Sequence, residues 1–196
     1  MIRECAVMLA LVTITAPTGP AVAQTTDAPY DAALSSSLAT MAKTMHATIR
    51  RNLAEAAEAM TADDFAFRPQ LEMRTFAQLL GHVINANAYF CAQATGQPTP
   101  VSVDQEKVTD RAALVKALND SLAFCDKAYA ETTDENFMQT VDIRARAGQK
   151  PVPTRRGAVL MFNVTHNNEH YGNMVVYLRL KGHVPPSTAR ARSGAR

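Results

Sequence analysis

The sequence has no G-x-S-x-G elbow, no glycine-rich phosphate loop and no C-x-x-C pair. Those absences remove a serine-elbow nucleophile, a loop-borne phosphate cradle and a vicinal-thiol redox centre from the available sources of chemistry. No segment alternates polar and apolar residues for long, and none repeats, so neither a half-buried sheet nor a solenoid is indicated. Neither sign of charge is in real excess. A formal net charge of +2 is too small to argue for nucleic acid or an anionic membrane as partner.

What is present begins with a leader. Met1–Ala23 starts with Arg3, runs through an apolar stretch from Ala6 to Thr15 and closes on Ala21-Val22-Ala23 before Gln24. A short apolar core followed by a small-x-small site is the pattern of a cleaved secretory signal peptide, residues 1–23. The stretch is shorter than the about 20 apolar residues that span a bilayer, although an uncleaved anchor is the alternative. Cys5 lies ahead of the apolar core, where it is badly placed for lipid attachment. The expected mature protein, Gln24–Arg196, is periplasmic or secreted, with no membrane association after cleavage. One helical domain is expected over 24–182. The basic segment 183–196, with Pro185, Pro186, Arg190, Arg192 and Arg196, reads as a disordered tail, with His183 solvated.

Four segments carry the helical period. The first runs from about Asp31 to Met60 through Leu34, Leu38, Met41, Met45, Ile49 and Leu53. The second starts near Thr75 as N-cap and carries Phe76, Leu79, Leu80, Val83 and Ile84 towards Cys91. The third spans about Asp110 to Ala130. The fourth starts after Thr154 and stops at Lys181-Gly182, with glycine in the stop position and Pro185 beyond. Helices two and three are separated by roughly fifteen residues, which when extended reach about 50 Å, enough to run back along a whole helix. The segment from about Thr132 to Pro153 is also long, with a short extended piece expected in Val141–Arg146. An all-α, up-down-down-up four-helix bundle is therefore favoured over an antiparallel meander.

The cysteines point the same way. With the leader removed, Cys91 and Cys125 remain, an even pair in an oxidising compartment. Each lies about sixteen residues into its helix, so parallel neighbours would set them side by side, whereas antiparallel ones would hold them more than about 20 Å apart. Two ordinary buried thiols are the alternative to a disulfide.

Histidines supply the chemistry. His166 and His170 stand four apart in Asn163-Val164-Thr165-His166-Asn167-Asn168-Glu169-His170-Tyr171-Gly172, and His82 lies early in the second helix. Four residues on a helix are about 40° apart around the axis and about 6 Å along it, so two imidazoles converge on one ion. A third from a facing helix completes a three-nitrogen face and leaves positions open for water or substrate. Chance occurrence on a solvated face is the competing reading of two such histidines.

The stretch Arg74-Thr75-Phe76-Ala77-Gln78-Leu79-Leu80-Gly81-His82, together with His166-Asn167-Asn168-Glu169-His170-Tyr171-Gly172-Asn173, resembles the DinB/YfiT-like family of four-helix-bundle metalloenzymes. The resemblance spans about Leu34 to Gly182. It implies that His82, His166 and His170 bind a divalent metal, that the bundle runs up-down-down-up, and that homodimers form. Asn173 departs from the family pattern, in which many members carry glutamine after the glycine. Members with an assigned activity act on intracellular low-molecular-weight thiols, whereas this chain carries an export signal.

Around the triad, Glu169 is a weak catalytic candidate, about 100° from the direction of His170. Asn85 and Asn163, one turn from ligands, are candidates for supporting them. His46 is a further histidine within conceivable reach. Asn163-Val164-Thr165 matches a glycosylation acceptor but falls inside a helix. The expected function is that of an exported metal-dependent enzyme, a hydrolase or thiol transferase acting on a small molecule. A non-enzymatic metal- or ligand-binding bundle is the alternative. Zinc leads among the metals, with nickel, copper, iron and manganese also accommodated by such ligands.

Overall fold

The computed structural model describes residues 37–143 and 150–194. The leader, the first residues of the first predicted helix and Arg144–Gln149 lie outside the described residues. The elements are α1 (Leu38–Ala59), α2 (Ala62–Phe65), α3 (Phe76–Thr95), a 3-10 turn (Gln105–Lys107), α4 (Arg111–Ala130), α5 (Asp134–Phe137), β1 (Thr140–Ile143), β2 (Val152–Arg155), α6 (Arg156–Leu180) and α7 (Pro186–Gly194). The protein is predominantly helical.

Local chemistry sets the helix ends. Ser37 caps α1 by accepting from the Thr40 amide, and Asp110 caps α4 through Ala113. Thr75 and Gln78 close a capping box on α3, satisfying two amide donors that the helix cannot satisfy itself. At the far end Gly96 takes φ +72°, the left-handed geometry that terminates helices cheaply only in glycine. Helix α6 has no side-chain cap. Its start is fixed by the antiparallel pairing of β1 with β2, continued by the Arg156 amide donating to Gln139 O at 2.9 Å.

The helix directions follow from which ends meet. Arg111, opening α4, donates to Met60 O just past the end of α1. Tyr177, late in α6, donates to Arg74 O just before α3. Tyr129, late in α4, donates to Leu160 O early in α6. Cys91 and Cys125, at matching depths in α3 and α4, are disulfide-bonded with 5.3 Å between their Cα atoms. Helices α3 and α4 thus run parallel, with α1 and α6 opposed to them.

Two apolar clusters fill the bundle. One gathers Leu53, Phe65, Phe76, Leu80, Leu118 and Tyr177, and the other Ala42, Cys91, Cys125, Tyr129, Leu160 and Val164. Between them lies a polar layer of Asn87, Asn163 and Asn167, each 0% exposed. The Asn87 side-chain carbonyl accepts from both other amides at 2.8 and 2.9 Å.

Over its described residues, 183–194, the basic carboxyl-terminal segment is not a solvated tail but carries the helix α7. Pro186, whose fixed φ suits a first helical turn, is buried and opens it. Ser187 exchanges hydrogen bonds with the Tyr171 hydroxyl, and Arg190 reaches Glu55 and Asn52 on α1. His183 is likewise not free, since its Nε2 lies 3.0 Å from the buried Asp64 carboxylate, which also pairs with Lys181. Burial alone would raise the pKa of Asp64, but the bonds from His183, Lys181 and Thr61 outweigh it and hold this carboxyl well below its usual range. Composition suggested disorder in this segment because its partners lie far away in sequence.

Candidate metal centre

His82 leaves α3 one turn after its amino-terminal capping box, and His166 and His170 leave α6 on one face. Because the helices oppose each other, the three Nε2 atoms meet. His166 Nε2 lies 3.2 Å from His82 Nε2 and 3.1 Å from His170 Nε2. Three imidazole nitrogens at the usual about 2.0–2.1 Å from a tetrahedral zinc stand about 3.3 Å apart, so the spacing fits a divalent ion with further positions open. Among the described residues this is a group whose ligand atoms all lie within 4.8 Å of one another. His170 is 8% exposed, while His82 and His166 are half-buried, leaving one side of the cluster open.

The protonation states suit metal binding. Burial first, then the imidazoles of His170 and His82, lower His166 to about 4. Burial, then His82 and Arg74, lower His170 to about 4. Both rings are therefore neutral at pH 7, the form that offers a lone pair.

The linkage has a definite sign. Below about 6.5 an unfolded histidine takes up a proton that these folded ones refuse until about 4. The stability of the metal-free protein should therefore fall as pH drops from 6.5 towards 4. Urea midpoints at pH 7.5, 5.5 and 4.5 would show it, and the loss should shrink in the double variant His166→Ala, His170→Ala. An equal loss in that variant would assign it to other groups.

A residue that sequence reasoning missed orients His82. Glu106, on the 3-10 turn in the α3–α4 crossover, places Oε1 2.8 Å from His82 Nδ1, and its Oε2 accepts from Arg74 Nε at 2.9 Å. Burial raises Glu106, but the bonds from Arg74 and His82 prevail and the carboxyl is lowered overall. An ionised carboxylate only accepts, so His82 carries its proton on Nδ1 and turns the Nε2 lone pair to the cluster.

The only readable signal was Gly81. A Cβ there would stand 2.3 Å from Gln105 O, so only glycine lets the crossover lie against α3 beside His82. Replacing Glu106 with glutamine should lower zinc affinity by about 10–100-fold, measured by competition with a chelating dye. Unchanged affinity would remove Glu106 from this role.

The other candidates sit elsewhere. Asn85 supports the site at one remove, since it donates to Asp104 Oδ1 at 2.8 Å and accepts from the Gln105 amide, pinning the turn that carries Glu106. Asn163 faces the asparagine layer and Tyr129, not a triad ring. Its complete burial is also at odds with glycosylation. Glu169 is exposed and makes none of the triad's hydrogen bonds. His46 is 3% exposed, stacks on Tyr129 with ring centroids 3.9 Å apart and pairs with Asp126 at 2.8 Å, away from the cluster. Asn173 approaches His170 Nδ1 to 3.5 Å.

Comparison with known proteins bears on the fold and the family. The uncharacterized protein YjoA of Bacillus subtilis (strain 168) is 27% identical over 144 residues, 70% of this chain and 88% of YjoA. The YjoA crystal structure superposes with a TM-score of 0.56 at 19% identity, covering 73% of this chain and 92% of that one. A DinB-like protein from Bacillus cereus ATCC 10987 gives 0.59 at 17% identity, covering 70% and 89%. The mycothiol-dependent maleylpyruvate isomerase gives 0.51 at 18% identity, and there the match covers 71% of this chain but 63% of the isomerase. These structural likenesses show the shared fold. The DinB superfamily model matches residues 45–174, a span that holds all three histidines, and the chain belongs to that superfamily.

Proposed function

We propose that this protein is an exported metalloenzyme that uses His82, His166 and His170 to hold a divalent ion, zinc foremost, for hydrolysis or thiol transfer on a small molecule. The observation that carries this reading is the convergence of three imidazoles on a partly open face, with His166 Nε2 3.2 Å from His82 Nε2 and 3.1 Å from His170 Nε2 and all ligand atoms within 4.8 Å of one another. Such an ion, when bound, polarises an oxygen or eases deprotonation of water or a thiol. The chain's own part is positioning. Glu106 and Arg74 hold the His82 proton on Nδ1, and the buried His170 stays neutral. The mycothiol dependence of the similarly folded isomerase supports thiol chemistry as one of the two reaction types.

Export is proposed from the leader at Met1–Ala23, and the Cys91–Cys125 bond supports it, since such bonds persist in oxidising compartments. A binding protein without turnover is the second reading. It is favoured by the exposure of Glu169, which leaves Glu106 as the carboxylate hydrogen-bonded to the triad.

The test is a screen of zinc-loaded protein against thiols with electrophiles, and against esters and amides. Turnover should vanish on chelation and return with metal. Persistent turnover in the variant lacking all three histidines would overturn the enzyme reading.

A further inference from the structure

The helices that carry the triad do not end at it. Phe162 lies one turn before His166 on α6, and Phe90 lies eight residues beyond His82 on α3. Their ring centroids are 5.1 Å apart, and the Phe90 ring is 5.8 Å from the His166 ring. Together with Ile143 and Thr154 of the hairpin and with Ala158 and Val159, they line a cavity of about 300 Å³. Phe162 is 57% exposed. On the opposite side of the cluster, the amino-terminal end of α3 presents the half-exposed Arg74. The open face thus lies between the Arg74–Glu106 ion pair and an apolar recess.

We infer that the Phe90–Phe162 cavity is the subsite for an apolar, ring-sized portion of the ligand whose donor group reaches the metal, an inference that rests on the metalloenzyme reading. The ligand class is an amphipathic small molecule, with an anionic oxygen or sulfur donor at one end and a hydrocarbon or aromatic group a short spacer away. About 300 Å³ falls at the small end of ligand pockets and accommodates one ring with a spacer, but no large sugar or nucleotide. Phe90, which lines the recess and packs edge-on against the His166 ring, is the link between it and the triad. A ring entering it would stack beside Phe90 within reach of the triad.

The probes are hydroxamates that share one metal-binding head. Acetohydroxamate lacks a tail, whereas benzohydroxamate and 3-phenylpropanohydroxamate carry a ring on no spacer and on a short one. Dissociation constants are measured by calorimetry on zinc-loaded full-length protein. The better ring-bearing probe should bind at least about tenfold more tightly than acetohydroxamate, since ring burial adds to an unchanged head. In Phe162→Ser, at a surface position whose change should leave the fold intact, that ratio should fall close to one, and in Phe90→Ala it should also drop. Equal binding of all three probes to the wild-type protein would overturn the subsite while leaving the metal reading intact. Failure of the protein to take up zinc before the titration would defeat the metal reading and the subsite with it, and no binding of any probe to the zinc-loaded protein would overturn the subsite alone. A ratio unaffected by Phe162→Ser, together with a shift from dimer to monomer in sedimentation, would assign the recess to a second copy of the chain and overturn the inference.

Discussion

Zinc content should fall from about one ion per chain to background in His82→Ala, His166→Ala and His170→Ala, each taken alone. The three Nε2 atoms lie so close that each would supply a third of the protein's contribution to the coordination sphere. Loss of one ligand should weaken binding well beyond the about 10–100-fold expected for an outer supporting residue. Elemental analysis after dialysis measures the occupancy, and circular dichroism should show the helices retained. His82 and His166 are partly exposed, so their truncation opens no large core cavity. Full occupancy in any one variant would strike that histidine from the site. His46→Ala serves as the contrast, because its ring faces Asp126 and Tyr129 and its loss should cost stability without removing metal.

Removing the disulfide should give the largest change in stability. Cys91 and Cys125 close a loop with a sequence separation of 34. Chain entropy alone puts the value of such a closure at about 3–4 kcal/mol, acting mainly by restricting the unfolded state. The double variant Cys91→Ala, Cys125→Ala, or the wild type under reductant, should lose about that much in urea unfolding, and reductant should leave the variant unaffected. An unfolding midpoint insensitive to reductant in the wild type would mean that the bond contributes nothing. Both sulfurs are completely buried in the cluster around Tyr129 and Leu160, so reduction should be slow while the protein stays folded.

The sequence revealed whatever depended on spacing within one element. The apolar period located α1, α3, α4 and α6, and Thr75 and Gly182 marked ends that the backbone uses. The four-residue step from His166 to His170 and the early position of His82 were enough to nominate the cluster. Matching depths of Cys91 and Cys125 argued for parallel neighbours on spacing alone. What escaped was whatever depended on a loop folding back. Glu106 carries no motif, and its role arises because the crossover rests on Gly81 and is pinned by Asn85. Helix α7 escapes a reading of the sequence for the same reason. Its arginine and proline content is that of a solvated tail, and only distant Asn52, Glu55 and Tyr171 give it something to fold against.

The asparagine layer also governs how the cluster is assembled. A wholly aliphatic seam between α3 and α6 would tolerate sliding or rotation by part of a turn, because dispersion forces have little directionality. Asn87 receiving both the Asn163 and Asn167 amides favours the observed alignment, since a slip would strand those two buried donors at about 1–3 kcal/mol apiece. That layer lies close to His166 and His82 on the same two helices, so the alignment it favours is also the one that brings the rings together. Ion capture should then proceed on a finished template, with little ordering of the chain left to offset its free energy.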